Sequence, residues 1–360
     1  VNWRPANFWR GKRVFLTGHT GFKGAWLSIW LNELGAEVHG FSLAPPTEPS
    51  LFDEAGVAAC LASDRRGDIR ELDDMVDAVV QAKPDIVIHM AAQALVRDSY
   101  RDPITTYATN VMGTAHLLEG VRKADSAEAC LIITTDKCYE NRNWPYPYRE
   151  TDAMGGADPY SASKACAELV TASYRSSFLA ADGSGPMLAS ARAGNVIGGG
   201  DWATDRLVPD CVRAFRAGDP VVLRYPQAVR PWQHVLAPLE GYMRLVEKLC
   251  GTGGADMAEG WNFGPTTAGE DNVLKVAQLA AQTWGEGAKV VTATEQVEFK
   301  EAQLLRLDST KARVALGWDE RWPLETAVQR TIEWYRAWHD GQDMNAFTRR
   351  QIRDYCDQPS

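Results

Sequence analysis

The run Arg13-Val14-Phe15-Leu16-Thr17 leads straight into Gly18-His19-Thr20-Gly21-Phe22-Lys23-Gly24, and a helical pattern begins at Ala25 and continues through Leu27, Trp30, Leu31 and Leu34. This reads as strand, glycine turn, helix. Glycine lets the backbone turn tightly and lie close to a pyrophosphate, and the helix N-terminus offers unpaired N–H groups and a positive dipole end. The spacing is G-x-x-G-x-x-G, a departure from G-x-G-x-x-G. Further apolar runs at Val38–Phe41, Ile86–Met90, Leu131–Thr134, Leu188–Ala191 and Trp261–Phe263 have helical patterns between most of them. Such alternation implies an α/β fold with a doubly wound parallel sheet covered on both faces. Ligands then sit beyond the carboxyl ends of the strands, which puts Gly18, Asp68, Ala91 to Gln93 and Thr134 to Lys137 on one rim. Only the strand before Asp68 is poorly marked.

A chain of 360 residues, 45% of them hydrophobic, buries a full core in one large or two joined domains. The formal net charge of -9 argues against a sequence-independent nucleic-acid binder, so any anionic ligand must meet local cations. Cysteines at 60, 130, 138, 166, 211, 250 and 356 form no C-x-x-C pair, and reduced thiols are the expectation. His19 and His234 lack a second ligand nearby in sequence, so no metal is expected. Without an apolar stretch of signal-peptide or membrane-spanning length, the reading is a soluble, cytoplasmic protein. The alternation weakens after Arg192, and glycine, proline and aromatic residues become frequent between Gly198 and Pro238. The expected division is a dinucleotide-binding domain over 10–195 and about 234–264, a smaller interleaved α/β substrate-binding domain over about 196–233 and 265–345, and a loosely attached polar tail over 346–360. Helices are predicted at Val273–Thr283 and Leu324–Asp340.

Tyr160-Ser161-Ala162-Ser163-Lys164 follows Thr135-Asp136-Lys137 along the chain. Oxidising an alcohol by hydride transfer needs a base on its oxygen, and a tyrosine whose pKa is lowered by a nearby cation serves near neutral pH. Lys164, four residues after Tyr160, shares its helix face. Alone this pattern equally describes a surface pair, and Thr134 to Lys137 alone describes a strand end and a solvated turn. Asp136 and Lys137 add an acid and a base that a plain dehydrogenase does not need. Cys138 is read as a packed thiol.

The glycine turn and the Tyr160/Lys164 pair together resemble the extended short-chain dehydrogenase/reductase family. Its nucleotide-sugar 4,6-dehydratases are resembled most, through Ala91-Ala92-Gln93-Ala94-Leu95-Val96-Arg97-Asp98-Ser99-Tyr100, Thr134-Thr135-Asp136-Lys137-Cys138-Tyr139, Gly194 to Trp202 and Arg230-Pro231-Trp232-Gln233-His234-Val235. The resemblance implies a Rossmann-type sheet and a bound NAD held by Gly18, Thr20, Gly21, Phe22, Gly24, Asp68, Ile69, Ala91, Ala92, Gln93, Asn110, Thr134, Tyr160 and Lys164. Phe41-Ser42-Leu43 stands where an acidic residue normally holds the ribose, which touches the choice between NAD and NADP, but no arginine stands at or beside Ser42.

For the reaction, the resemblance implies that Tyr160 takes the C4 hydroxyl proton with Lys164 and Thr135, that Asp136 protonates the departing C6 hydroxyl, and that Lys137, neutralised by burial near other cations, removes the C5 proton. Gln93, Asn195, Arg206 and Arg230 are the implied substrate-binding residues. Thr-Asp-Lys in place of Thr-Asp-Glu is shared with members acting on CDP-glucose and with members acting on UDP-linked amino sugars; CDP-glucose is the substrate, and dideoxysugar synthesis for surface polysaccharide the context, that the resemblance as a whole implies. A homodimer is implied, through helices that include Ala115, Leu118, Leu169 and Tyr174. A dehydratase for dTDP-glucose or UDP-N-acetylglucosamine, a 4-epimerase or simple oxidoreductase, and a non-catalytic nucleotide-binding regulator are the alternatives.

Overall fold

The computed structural model describes residues 5–179, 185–266, 270–285, 287–293 and 304–358. Seven parallel strands form its main sheet: β1 (Arg13–Thr17), β2 (Glu37–Ser42), β3 (Ser63–Arg66), β4 (Ile86–His89), β5 (Ala129–Ile133), β6 (Met187–Ala193) and β7 (Gly260–Phe263). Their order is β7-β6-β5-β4-β1-β2-β3. The chain thus reverses direction between β1 and β4, and a crevice opens at their carboxyl ends. All six predicted strands are present. The seventh, β3, has the sequence Ser-Asp-Arg-Arg and lies on the sheet edge, where charge is tolerated and the apolar signal is lost.

Two layers of helices cover the sheet. Helix α1 (Phe22–Glu33) and helix α6 (Leu236–Leu249) press Trp26, Leu27, Trp30, Leu239 and Val246 onto the face carrying Val14, Leu16, Ile88 and Leu131. Helices α2 (Leu72–Ala82) and α3 (Gly113–Lys123) set Met75, Val79, Leu117 and Val121 against Phe15, Val87, Cys130 and Ile132 on the other, flanked by α4 (Pro159–Tyr174). Successive residues of each strand serve opposite faces, so these strands read as unbroken apolar runs.

Segments outside the sheet add α5 (Leu207–Ala217), α7 (Val273–Trp284), α8 (Leu324–His339), α9 (Met344–Asp357) and short strand pairs such as Val196–Ile197 with Gln233–His234. The predicted helices match α7 and α8 to within a residue. Pairing of β7 with β6 sets Gly260 opposite Ser190 and Phe263 opposite Ala193, so the chain returns to the sheet after a long excursion.

The expected loose tail is instead the helix α9. Asp343 caps it by accepting from the Ala346 N–H at 3.0 Å, and Met344, Thr348, Gln351, Ile352 and Tyr355 are buried along one face. Arg349 and Arg353 meet Glu33 of α1 at 2.7 and 2.9 Å. The buried stripe contains Thr and Gln, which hides its amphipathicity from a hydrophobic reading.

Candidate active site

The glycine turn is shaped by close backbone approach. Gly18 has φ +76°, and a Cβ there would lie 2.7 Å from the Ala91 nitrogen on the far side of the β1/β4 crevice. At Gly24 a Cβ would lie 2.1 Å from the Gly18 carbonyl oxygen. Helix α1 therefore starts at Phe22, three residues before the apolar pattern, with Gly24 inside its first turn. Its N-cap, Gly21, makes no side-chain cap bond, so the helix end is left to an outside acceptor. The turn and open helix end fit a pyrophosphate. Thr20 lends its hydroxyl to the end of β2, meeting Ser42 Oγ at 2.8 Å and the Leu43 carbonyl at 3.1 Å.

A buried hydrogen-bond chain ties this turn to the helix of Tyr160. Thr17 Oγ1 accepts the N–H groups of Met90 and Ala91, both at 3.1 Å, so its own proton goes to His89 Nδ1 at 2.7 Å. His89 is then the Nε2–H tautomer and donates to Thr114 Oγ1 at 3.3 Å, which passes its proton to the Asn110 carbonyl at 2.7 Å. Burial lowers the His89 pKa to about 3, with Lys164 adding to the effect. Asn110 lies in a π-helical turn at Ala108–Met112; its amide takes the Gln93 N–H at 2.9 Å and donates to the Gln93 carbonyl at 3.0 Å and to Ser163 Oγ at 2.8 Å.

Helix α4 begins with Asp158 as N-cap, accepting from the Ser161 N–H at 2.9 Å, and Pro159 in its first turn. Tyr160 and Lys164 are 8% and 7% exposed. Lys164 Nζ donates to the Ile133 carbonyl at 3.2 Å. Burial lowers the Lys164 pKa to about 8, while Glu168 pulls it upward. Burial pushes the Tyr160 phenol up to about 12, against a lowering hydrogen-bond interaction with Thr135. The expected lowering of this tyrosine is not found, because burial, with Asp136 adding to it, outweighs the Thr135 hydrogen bond and the charge of Arg206.

Thr135, Asp136 and Lys137 follow β5. Thr135 Oγ1 donates to Asp136 Oδ1 at 2.9 Å, and Asp136 Oδ2 is buried with no hydrogen-bond partner. Burial raises the Asp136 pKa, with Lys137, Thr135 and Arg230 opposing it. Burial thus disfavours the charged form of a carboxyl that lies within electrostatic reach of Tyr160, Lys137 and Arg230.

A family profile described as GDP-mannose 4,6 dehydratase matches residues 15–331. The chain belongs to the GDP-mannose 4,6 dehydratase family. The CDP-glucose 4,6-dehydratase of Salmonella typhimurium is 49% identical over 352 residues, 97% of each chain. The solved UDP-glucose 4-epimerase of Thermotoga maritima, with UDP-glucose, superposes with a TM-score of 0.77 at 21% identity, covering 91% of this chain and 99% of the other. The dTDP-glucose 4,6-dehydratase of Bacillus anthracis, in complex with NAD, gives 0.72 at 19% identity over 91% and 98%. These two structures share the fold of this dehydratase-family chain.

In this dehydratase-family chain, Thr134, Thr135, Asp136, Lys137, Tyr160 and Lys164 gather at the ends of β5 and α4. Gly18 to Gly24, Ala91, Ala92, Gln93 and Asn110 gather around the β1/β4 crevice. Arg206 pairs with Asp201 at 2.7 Å and lies within electrostatic reach of Tyr160. Arg230 is 7% exposed and acts on Asp136, while Asn195, half-buried, offers its carbonyl to the Gln233 N–H at 3.1 Å. Asp68 is engaged by Arg70 from its own loop at 2.9 Å, and Ile69 gives its side chain to the core against Gly113.

Sequence reasoning missed Lys23, Tyr242, His89 and Glu168. Glu168 is the one with a legible signal, since it sits four residues after Lys164 on the same helix face. Despite burial, Arg192, Ser190 and Thr134 hold its carboxyl below the usual range. Among the described residues no helix is long and apolar enough to cross a membrane, and no cluster of three metal-ligating side chains occurs. Cys138 is buried with its pKa raised, and His234 is enclosed by Trp26 and Trp322.

Proposed function

We propose that this chain is a CDP-glucose 4,6-dehydratase that uses a bound NAD, producing CDP-4-keto-6-deoxy-D-glucose. The observation carrying the reading is the buried, partly satisfied carboxyl of Asp136 beside Tyr160. An epimerase or simple dehydrogenase has no use for an acid there, whereas loss of water needs one. The 49% identity to a CDP-glucose 4,6-dehydratase over nearly the whole chain supports the substrate.

NAD bound at the glycine turn would supply hydride-transfer chemistry between C4 and C6 of the sugar. Gly18, Gly21 and Gly24 would allow close approach of its phosphates, Asp68 and Ile69 would hold the adenine side, and Ala91, Ala92 and Gln93 would line it. Tyr160 removes the C4 hydroxyl proton, with Thr135 hydrogen-bonding the developing oxyanion and Lys164 supplying positive charge. The C4 ketone acidifies C5; Lys137 takes the C5 proton and Asp136 gives its proton to the leaving C6 hydroxyl. Arg206 and Arg230 face the diphosphate, and Asn195 and Gln93 the sugar; about 196–233 and 265–345 form the substrate-binding domain, and 10–195 with about 234–264 the dinucleotide-binding domain. The product feeds dideoxysugar synthesis.

We further read the protein as a homodimer. Tyr100, Ile104, Met112 and Leu169 are 54, 76, 50 and 60% exposed on adjoining helices around α4, an apolar group suited to a second copy. Leu118, expected at that interface, belongs instead to the core.

Mass spectrometry of CDP-glucose incubated with the protein and NAD in deuterated water tests the reaction. Loss of one water with one deuteron retained at C5 is expected. Reaction of dTDP-glucose or UDP-N-acetylglucosamine instead reassigns the substrate, and epimerisation without water loss overturns the dehydratase reading.

A further inference from the structure

The loop that leads into α5 is anchored at one end and reaches outward at the other. Trp202 is buried among Trp334, Tyr335 and Trp338, and the Asp201 N–H donates to the Tyr335 hydroxyl at 3.1 Å. Three residues after Trp202, the Asp205 side chain is 34% exposed and its backbone stands at φ +61°. That is the left-handed region, which a residue other than glycine occupies at a cost and keeps only where its surroundings fix it. Here Asp205 Oδ1 accepts from Arg97 Nη1 at 2.6 Å and from Arg224 Nη2 at 3.3 Å.

The two arginines come from opposite sides of the crevice. Arg224 follows the strand Pro220–Leu223, in the segment read as substrate-binding. Arg97 lies in the first turn of the short helix Val96–Arg101, which continues the rim formed by Ala91, Ala92 and Gln93. That rim is firm: the Gln93 amide donates to the Leu95 carbonyl at 3.0 Å and to Thr106 Oγ1 at 3.1 Å, and Asn110 holds the Gln93 backbone. An arginine–carboxylate pair with about a third of each side chain exposed adds little to overall stability. Its place matters more than its strength. The residue after Asp205 is Arg206, at the N-cap position of α5, whose side chain pairs with Asp201 and acts on Tyr160. A left-handed residue tied from two sides sets the direction in which the chain enters Arg206.

We propose that Arg97 is a positioning residue for the dehydration, its pair with Asp205 strapping the loop 203–206 across the crevice so that Arg206 is held where the substrate's diphosphate arrives. The inference rests on the dehydratase reading, in which Arg206 meets that diphosphate. With the strap in place the loop is ordered before substrate comes, and its ordering does not subtract from binding. Without the strap the loop samples open positions, and affinity for the nucleotide sugar falls with the fraction of time that it spends closed. Tyr160, Asp136 and Lys137 are untouched once substrate is bound, so the effect belongs to KM and leaves kcat as it was.

Steady-state kinetics with CDP-glucose, together with NAD affinity by calorimetry, test the strap in four variants. Arg97→Met should raise KM about three- to fivefold, the most that a pair this exposed supplies, with kcat and NAD affinity unchanged. Asp205→Gly removes the carboxylate and frees the backbone of its strain, so it should raise KM to the same degree without unfolding earlier. The double variant should match either single one, because both remove the same pair. Arg97→Lys, which keeps the charge, should recover part of the affinity. Asp205→Gly reaches the pair from the other side of the crevice, so a folding defect in Arg97→Met alone does not decide the matter. A wild-type KM in Asp205→Gly, an additive rise in the double variant, or a fall in kcat at unchanged KM overturns the proposal. A wild type that turns over no nucleotide sugar instead overturns the dehydratase reading, and the strap's role falls with it.

Discussion

Arg192 on β6 donates to the carboxylate of Glu168 on α4 at 2.8 Å, with 6% and 4% of the two side chains exposed. Ser190 adds a hydrogen bond at 2.6 Å, Thr134 adds another, and Arg192 reaches on to Tyr139 at 2.7 Å. This closed set fixes the end of β5 against the helix bearing Tyr160 and Lys164. Glu168→Gln should destabilise the protein by about 3–5 kcal/mol, the usual cost of leaving a buried charge unpaired. It should also remove the upward pull on Lys164, so that the alkaline limb of kcat/KM moves to lower pH. Thermal unfolding and a pH profile check both, and an unmoved alkaline limb would show that Glu168 acts on packing alone.

Asp136→Asn keeps the size of the side chain and removes its proton. Turnover of CDP-glucose should fall by about 10²–10⁴-fold, while binding of the nucleotide sugar persists. Product mass by spectrometry and substrate affinity by calorimetry separate the two effects.

Gly24→Ala should rearrange the turn, because its Cβ would stand 2.1 Å from the Gly18 oxygen and backbone has to move. The expected outcome is loss of about 1–3 kcal/mol in stability together with weakened NAD binding. Retention of full affinity for NAD would mean that the turn does not hold the cofactor.

Lys164 contributes to stability with a definite sign. Its pKa in the fold is about 8 and its ordinary value 10.5, so between those two pH values the unfolded chain holds more protons than the folded one. Stability from this group therefore rises with pH across that window, by at most roughly 3 kcal/mol. Raised cysteine and tyrosine groups work in the opposite direction at higher pH, so the comparison is with Lys164→Met. Denaturant titrations at pH 7.5 and 10 should show the wild type gaining relative to that variant.

Leu169→Glu, at a side chain 60% exposed on α4, should convert a dimer to monomers without unfolding. Sedimentation velocity checks this, and a wild-type monomer at working concentration would count against the homodimer.

What the chain reveals before folding follows its periodicities. β4 and β5 are apolar at nearly every position because both of their faces are covered, and β1, β6 and β7 keep shorter apolar stretches, so the sheet is legible. β3 is charged because it is an edge, and α9 is polar because Thr348 and Gln351 occupy part of its buried face, so neither stands out. At the site, Thr135, Asp136, Lys137, Tyr160 and Lys164 lie in two short segments and can be read directly. Lys23 and Tyr242 meet only when α1 and α6 pack side by side, and His89 joins Thr17 only because Thr17 and His89 share a register across β1 and β4. Contacts of that kind depend on tertiary geometry, which local pattern does not encode.

The late return of β7 to the sheet has a consequence for synthesis. A chain still on the ribosome has released Thr135, Tyr160 and Lys164 long before Asn262, whose amide ties Tyr139 at 2.7 Å and the Tyr148 carbonyl at 2.9 Å. Until then the outer edge of β6 is an unpaired, apolar strand able to recruit a neighbouring nascent chain. Translation that stalls between these segments should therefore yield aggregate rather than a partly working enzyme.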